Sequence, residues 1–106
     1  MKKVILESPY AGNIEENIAY ARLCVRDSLL KGEAPIASHL LYTQQSILND
    51  AIDIERQQGI DAGLAWLKVA DLHVAYIDKG ISNGMKYGIN AANKAGLITE
   101  FRKILK

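Results

Sequence analysis

Short apolar runs alternate along this chain with stretches of helical period, and that alternation constrains the fold more than any other feature. Val4-Ile5-Leu6 is unbroken, as expected of a strand covered on both faces, and Ser8-Pro9-Tyr10-Ala11-Gly12 ends it. Asn13 with Glu16 three positions on makes a capping-box-like helix start. Ile14, Ile18, Ala21, Val25 and Leu29 then predict one helical stripe facing a core, with Lys31 and Gly32 as the stop. Ala34-Pro35-Ile36-Ala37 reads as a second strand leading into a polar loop at Ser38-His39, although Pro35 cannot donate to a ladder. From Leu40 to Asp53 the pattern is poor and predicts a loop with at most a helical turn. A helical segment follows from Ile54 to Val69, with Ile60, Leu64 and Leu67 on one face beside Gly63. Leu72 to Ile77 is the best strand in the chain, and Asp78 to Gly84 is the loop after it. Met85, Ile89 and Ala92 mark a last helix ended by Gly96, before a final strand at Leu97 to Phe101.

Strands alternating with helices predict a parallel α/β sheet covered on both faces. Right-handed crossovers put the loops after the strands on one sheet edge, where open α/β sheets bind ligands. Three loops are expected to meet there: Ser8 to Gly12, Ser38-His39, and Asp78 to Gly84.

The 106 residues are expected to form one domain, spanning 1–106. Thirteen basic against twelve acidic residues leave a net charge of +1, which supplies no electrostatic footprint for duplex nucleic acid or an anionic membrane. The apolar run after Lys2-Lys3 stops at Glu7, far short of an export signal, and no stretch has the length of a bilayer span. The cytoplasm is the expected location, that of the host if a phage encodes the chain. Cys24, alone in the sequence, excludes an intrachain disulfide. With His39 and His73 scattered, no metal-ligand spacing exists, and neither metal nor cofactor is expected.

Within the expected site, Ser8 offers a hydroxyl, Pro9 shapes the turn, Tyr10 a ring that stacks or donates, and Gly12 close backbone approach. The plainer alternative is a strand-to-helix turn with Tyr10 packed on the surface. Ser82-Asn83-Gly84-Met85 opens a helix whose free N–H groups suit an anion or a sugar hydroxyl; Ser82 or Asn83 acting only as a cap is the alternative. Ser38 and His39 follow the second strand. His39 is placed to act as an acid or base, or simply to hydrogen-bond. His73, inside a strand, reads as structural. Asp78, just past the third strand, is expected to reach the site.

Taken together, Ser8-Pro9-Tyr10-Ala11-Gly12, Ala70-Asp71 before a strand, and Ser82-x-Gly84-Met85 opening a helix resemble the nucleoside 2-deoxyribosyltransferase-like superfamily. They are most similar to its small members from phages and bacteria. The resemblance implies a flavodoxin-like (Rossmann-like) three-layer sandwich with a four- to five-stranded parallel sheet. It also implies homo-oligomers with sites near subunit interfaces, and cleavage or exchange at the N-glycosidic bond of deoxynucleosides or their monophosphates. That chemistry uses a nucleophilic glutamate and an assisting aspartate. In the superfamily pattern the glutamate stands four residues after the loop glycine, which here leads from Gly84 to Gly88. The aspartate stands about eight residues before the Asp preceding the third strand, which leads from Asp71 back to Gly63. Both positions therefore read as glycine. Asp61 and Asn90 lie two helical positions away, a rotation of about 200°, and make poor stand-ins.

The leading expectation is a catalytically degenerate protein that binds a nucleoside, nucleotide or nucleotide-derived signal in a pocket without an acidic attacker. In a phage it would sequester a defence signal. An active N-glycosidase or deoxyribosyltransferase with relocated groups, Tyr10, Asp78 and Glu55 being the candidates, is the alternative. A protein-interaction domain that merely inherited the fold is a third.

Overall fold

A computed structural model, describing residues 1–105, sets the first apolar run in the interior of a sheet. β1 (Lys3–Glu7) pairs in parallel with β2 (Ala34–Ile36) on one side and β3 (Leu72–Tyr76) on the other, and β4 (Thr99–Arg102) lies beyond β3. The order β2-β1-β3-β4 is that of a flavodoxin-like sheet, with its switch point between β1 and β3. Pro35 is tolerated because β2 is an edge strand.

Four helices connect the strands: α1 (Ile14–Leu30), α2 (Ser38–Leu41), α3 (Asp53–Ala65), extended by a 3-10 turn at Trp66–Lys68, and α4 (Asn83–Lys94). Val4, Leu6, Val74 and Tyr76 pack with Tyr20 and Cys24 of α1 on one face of the sheet. Ile5 packs with Leu67 and Ala92 on the other, beneath α3 and α4. Successive side chains of a strand point to opposite faces, so Glu7 follows Ile5 toward the α3/α4 side, whereas Asp78 keeps the parity of Val74 and Tyr76.

Local chemistry explains the boundaries. Asn13 Oδ1 accepts the Glu16 amide at 3.2 Å, and Gly32 takes the left-handed conformation (φ +80°) that stops α1. Ser82 Oγ accepts the Met85 amide at 3.2 Å to cap α4.

Four details of the sequence reading are corrected. The buried side of α1 is Asn17, Tyr20, Ala21, Cys24 and Ser28, while Ile14 and Leu29 of the expected stripe are 43% and 52% exposed. The stripe is rotated because its polar members are satisfied internally: Asn17 donates to the Tyr10 and Ala11 carbonyls, Tyr20 to Asp78, and Ser28 to Glu33. Ser38-His39, expected as loop, begins α2. The helix predicted to reach Val69 tightens to 3-10 geometry at Trp66. The last strand starts at Thr99 rather than Leu97 and runs through Arg102. Among the described residues no helix is long and apolar enough to cross a membrane.

Candidate functional site

The carboxyl end of β1, the start of α2, the inner side of α3 and the first turns of α4 enclose a cavity of about 770 Å³. Each wall has a local cause. β1 ends at Glu7, and the turn that follows carries Ser8, Tyr10, Ala11 and Gly12 along the cavity, Gly12 at φ +100°. Ser38 and His39 enter because α2 starts immediately after the edge strand. Gly59, Ile60 and Gly63 present the bare side of α3, and Ser82 through Met85 bring the N-terminus of α4.

Tyr10, His39 and Ser82, from three separate segments after β1, β2 and β3, thus line one cavity, together with Ser8, Gly12, Ser38, Glu55, Asn83, Gly84 and Met85. Pro9 is buried in the turn and does not line it. Asp78 is not there either, a correction that follows from strand parity. Its carboxylate sits on the α1 face, accepting the Tyr20 hydroxyl at 2.6 Å and the Ile104 and Leu105 amides at 3.0 and 2.9 Å. Burial opposes its ionisation, but these donors prevail and hold Asp78 below the usual carboxylate range.

The sequence reading left Glu7 out of the expected site, but Glu7 lines the cavity. Its carboxylate fills the space left by the missing side chain of Gly88: a β-carbon there would stand 2.7 Å from Glu7 Cδ, and closer still to Oε2. Gly63 repeats the arrangement, because a β-carbon there would lie 2.5 Å from Ser38 Oγ and 2.9 Å from Ser38 Cβ. At both glycines a polar side chain from the sheet edge occupies room that a helical side chain would take. Nothing in residue spacing singles out Glu7. The available signal is its parity with Ile5, and a strand buried on both faces does not reveal which parity meets the cavity.

Two hydrogen-bonded pairs organise the polar floor. Ser8 Oγ and His39 Nε2 are 2.6 Å apart, and burial lowers the pKa of His39 even though the Glu7 charge acts the other way. Its imidazole is therefore neutral at pH 7. Glu7 Oε2 is 3.1 Å from Nε2 of the fully buried His73, whose Nδ1 is 2.9 Å from Thr99 Oγ1. The formal charges lining the cavity are those of Glu7, Asp50 and Glu55 against Arg56. Away from the site, burial pushes the Cys24 thiol up to about 12, so it is inert as a nucleophile. Among the described residues no cluster of side chains is arranged to hold a metal ion.

The same fold occurs in solved enzymes. A 2-deoxyribosyltransferase from Bacillus psychrosaccharolyticus superposes with a TM-score of 0.63 at 18% identity, covering 98% of this chain and 77% of that one. A 2-deoxyribosyltransferase from Leishmania mexicana gives 0.62 at 14% identity, covering 97% and 65% respectively. No curated protein sequence matches the chain significantly. The model of a family described as "Domain of unknown function (DUF7768)" matches residues 2–102.

Proposed function

For a chain that belongs to this DUF7768 family, we propose that the cavity binds a nucleoside and that Glu7 attacks its N-glycosidic bond. One observation carries the reading: the Glu7 carboxylate lies in the space of the absent Gly88 side chain. Gly88 is the position at which the resemblance described above calls for the nucleophilic glutamate. The acid is thereby supplied from the end of β1 instead of from α4. Ser38 at Gly63 makes the parallel exchange, with a hydroxyl where the resemblance calls for an aspartate. Likeness of fold to two 2-deoxyribosyltransferases is in keeping with this chemistry.

The step balances simply. A Glu7 oxygen forms a bond to the anomeric carbon as the C–N bond breaks. The bonding electrons leave with the base, which takes up a proton from solvent. Water or a second base then displaces the carboxylate and regenerates Glu7.

Charge narrows the ligand. Three carboxylates against one guanidinium line the cavity, so a phosphate dianion enters at an electrostatic disadvantage and an uncharged nucleoside does not. The N–H groups at the start of α4 serve a sugar hydroxyl as well as they would serve an anion.

Chromatography of free base released from a panel of deoxynucleosides and their 5′-monophosphates tests the reading. The wild-type protein is expected to release base from nucleosides, with monophosphates poorer substrates and Glu7→Gln inactive but still binding. If the wild type binds nucleosides or nucleotides by calorimetry yet releases no base, the cleavage reading fails and sequestration of a nucleotide-like signal takes its place.

A further inference from the structure

We infer that His73 is the positioning residue for Glu7, donating from Nε2 to Oε2 so that Oε1 is the oxygen presented to the ligand, with Thr99 setting its tautomer. The inference deepens the reading of Glu7 above and rests on it for its functional meaning. Its own evidence is geometric.

An imidazole with 0% exposure in the middle of β3 is an expensive choice where Val or Ile would pack without polar atoms. Both of its nitrogens are nonetheless occupied, Nε2 by Glu7 Oε2 at 3.1 Å and Nδ1 by Thr99 Oγ1 at 2.9 Å. The two contacts come from opposite sides, β1 and β4, so His73 bridges the central strand to both of its neighbours on the cavity face. In register, His73 pairs with Ile5 and Glu7 with Ala75, so the Glu7 side chain leans diagonally across the pair to reach the ring.

Donor and acceptor bookkeeping then fixes the proton. An ionised carboxylate only accepts, so Nε2 must carry hydrogen. In the neutral ring Nδ1 is left as an acceptor, and the Thr99 hydroxyl, able to donate, satisfies it. The buried ring takes one oxygen of Glu7 out of play from behind. The other oxygen, Oε1, has no hydrogen-bond donor among the described residues, and Glu7 lines the cavity.

The titratable and charged groups that face Glu7 are His73 on β3 and, around the shared cavity, Tyr10, His39, Tyr42, Asp50, Glu55, Arg56 and Tyr87 of α4. Of these, His73 alone is hydrogen-bonded to Glu7.

Nitrogen-15 NMR of the histidine rings, with carbon-13 detection of the Glu7 carboxyl at constant pH, tests the assignment on ligand-free protein. His73 is expected to carry its proton on Nε2 toward Glu7. In His73→Leu the Glu7 carboxyl resonance should move for loss of that donor. His73→Gln, whose amide still donates, should reverse most of that change. Should His73→Leu not fold, Thr99→Val on the last strand keeps the ring and frees Nδ1. The Nδ1–H tautomer should then gain population and the Glu7 carboxyl resonance should move in the same direction as in His73→Leu. A wild-type His73 with its proton on Nδ1, or a Glu7 carboxyl resonance unmoved in Thr99→Val and in His73→Leu where that folds, overturns the inference. None of these measurements needs turnover, so their failure is separate from failure of the base-release assay.

Discussion

Both faces of the sheet bury polar side chains, but they use them in opposite ways. On the α1 face the groups satisfy one another. Arg102 donates to both oxygens of Glu33 at 2.8 and 2.7 Å and to the Tyr76 hydroxyl at 3.2 Å; Tyr76 donates to Asp27, and Ser28 to Glu33. Asp78 ties α1 to the chain end through Tyr20 and two backbone amides. On the α3/α4 face the corresponding groups, Glu7, Ser8, Ser38 and His39, stand at the rim of an open cavity, with glycines opposite Glu7 and Ser38. The closed face is built for stability. The other leaves polar side chains lining an open cavity, and the two should respond differently to substitution.

The contrast is broken most severely at Gly88. An alanine there displaces the end of the flexible Glu7 side chain rather than backbone. Base release should therefore fall roughly a thousandfold, while stability stays within about 1 kcal/mol because alanine is the better helix former. An unchanged rate would separate Glu7 from the chemistry. On the closed face, Arg102→Met strands a nearly buried Glu33 carboxylate and should cost about 3 kcal/mol in a denaturant titration, with nucleoside binding untouched. Asp78→Asn replaces one of the two oxygens that accept from Tyr20, Ile104 and Leu105 with an NH2 that cannot accept. It should lower stability by about 1–2 kcal/mol and leave the cavity's ligand affinity as it was; a loss of affinity would return Asp78 to the site.

Acid sharpens the same comparison on a smaller scale. The Arg102 hydrogen bond brings the Glu33 carboxyl down from 4.5 to about 2. Because its folded pKa is depressed, its stabilisation is complete above pH 4.5 and is lost as pH falls toward 2. His39 acts higher on the scale. Burial lowers its pKa from 6.5, so below pH 6.5 the unfolded chain binds more protons and stability declines. Urea midpoints measured against pH should show a gentle decline below 6.5 that His39→Gln removes, and a steeper one below 4.5 that Arg102→Met removes.

Much of this architecture is readable in the residues themselves. Val4-Ile5-Leu6, the run at Leu72, the Asn13 and Ser82 caps and the Gly32 stop locate β1, β3, α1 and α4, because each rests on local chemistry. What the sequence hides depends on orientation. The side of α1 that packs inward is chosen by Tyr20, Ser28 and Asn17, whose hydrogen bonds to Asp78, Glu33 and the Tyr10 turn form only after folding. An apolar count along α1 therefore points one position astray. Asp78 and Glu7 both stand at the ends of strands, and only the side of the sheet each parity meets decides that Glu7 reaches the cavity and Asp78 does not. His73 looks like filler in a strand until its two partners from β1 and β4 arrive.

On the proposed chemistry the acid is rooted at the end of β1, and α4 becomes a wall that supplies no attacking group. On that same proposal, replacing the residues it offers the cavity, Asn83 and Tyr87 among them, would redraw which guests are admitted while leaving Glu7 anchored. Gly88 must then stay bare, because a β-carbon there meets the Glu7 carboxylate. Such a division of labour would make this scaffold a starting point for changing ligand preference by exchanging one helix.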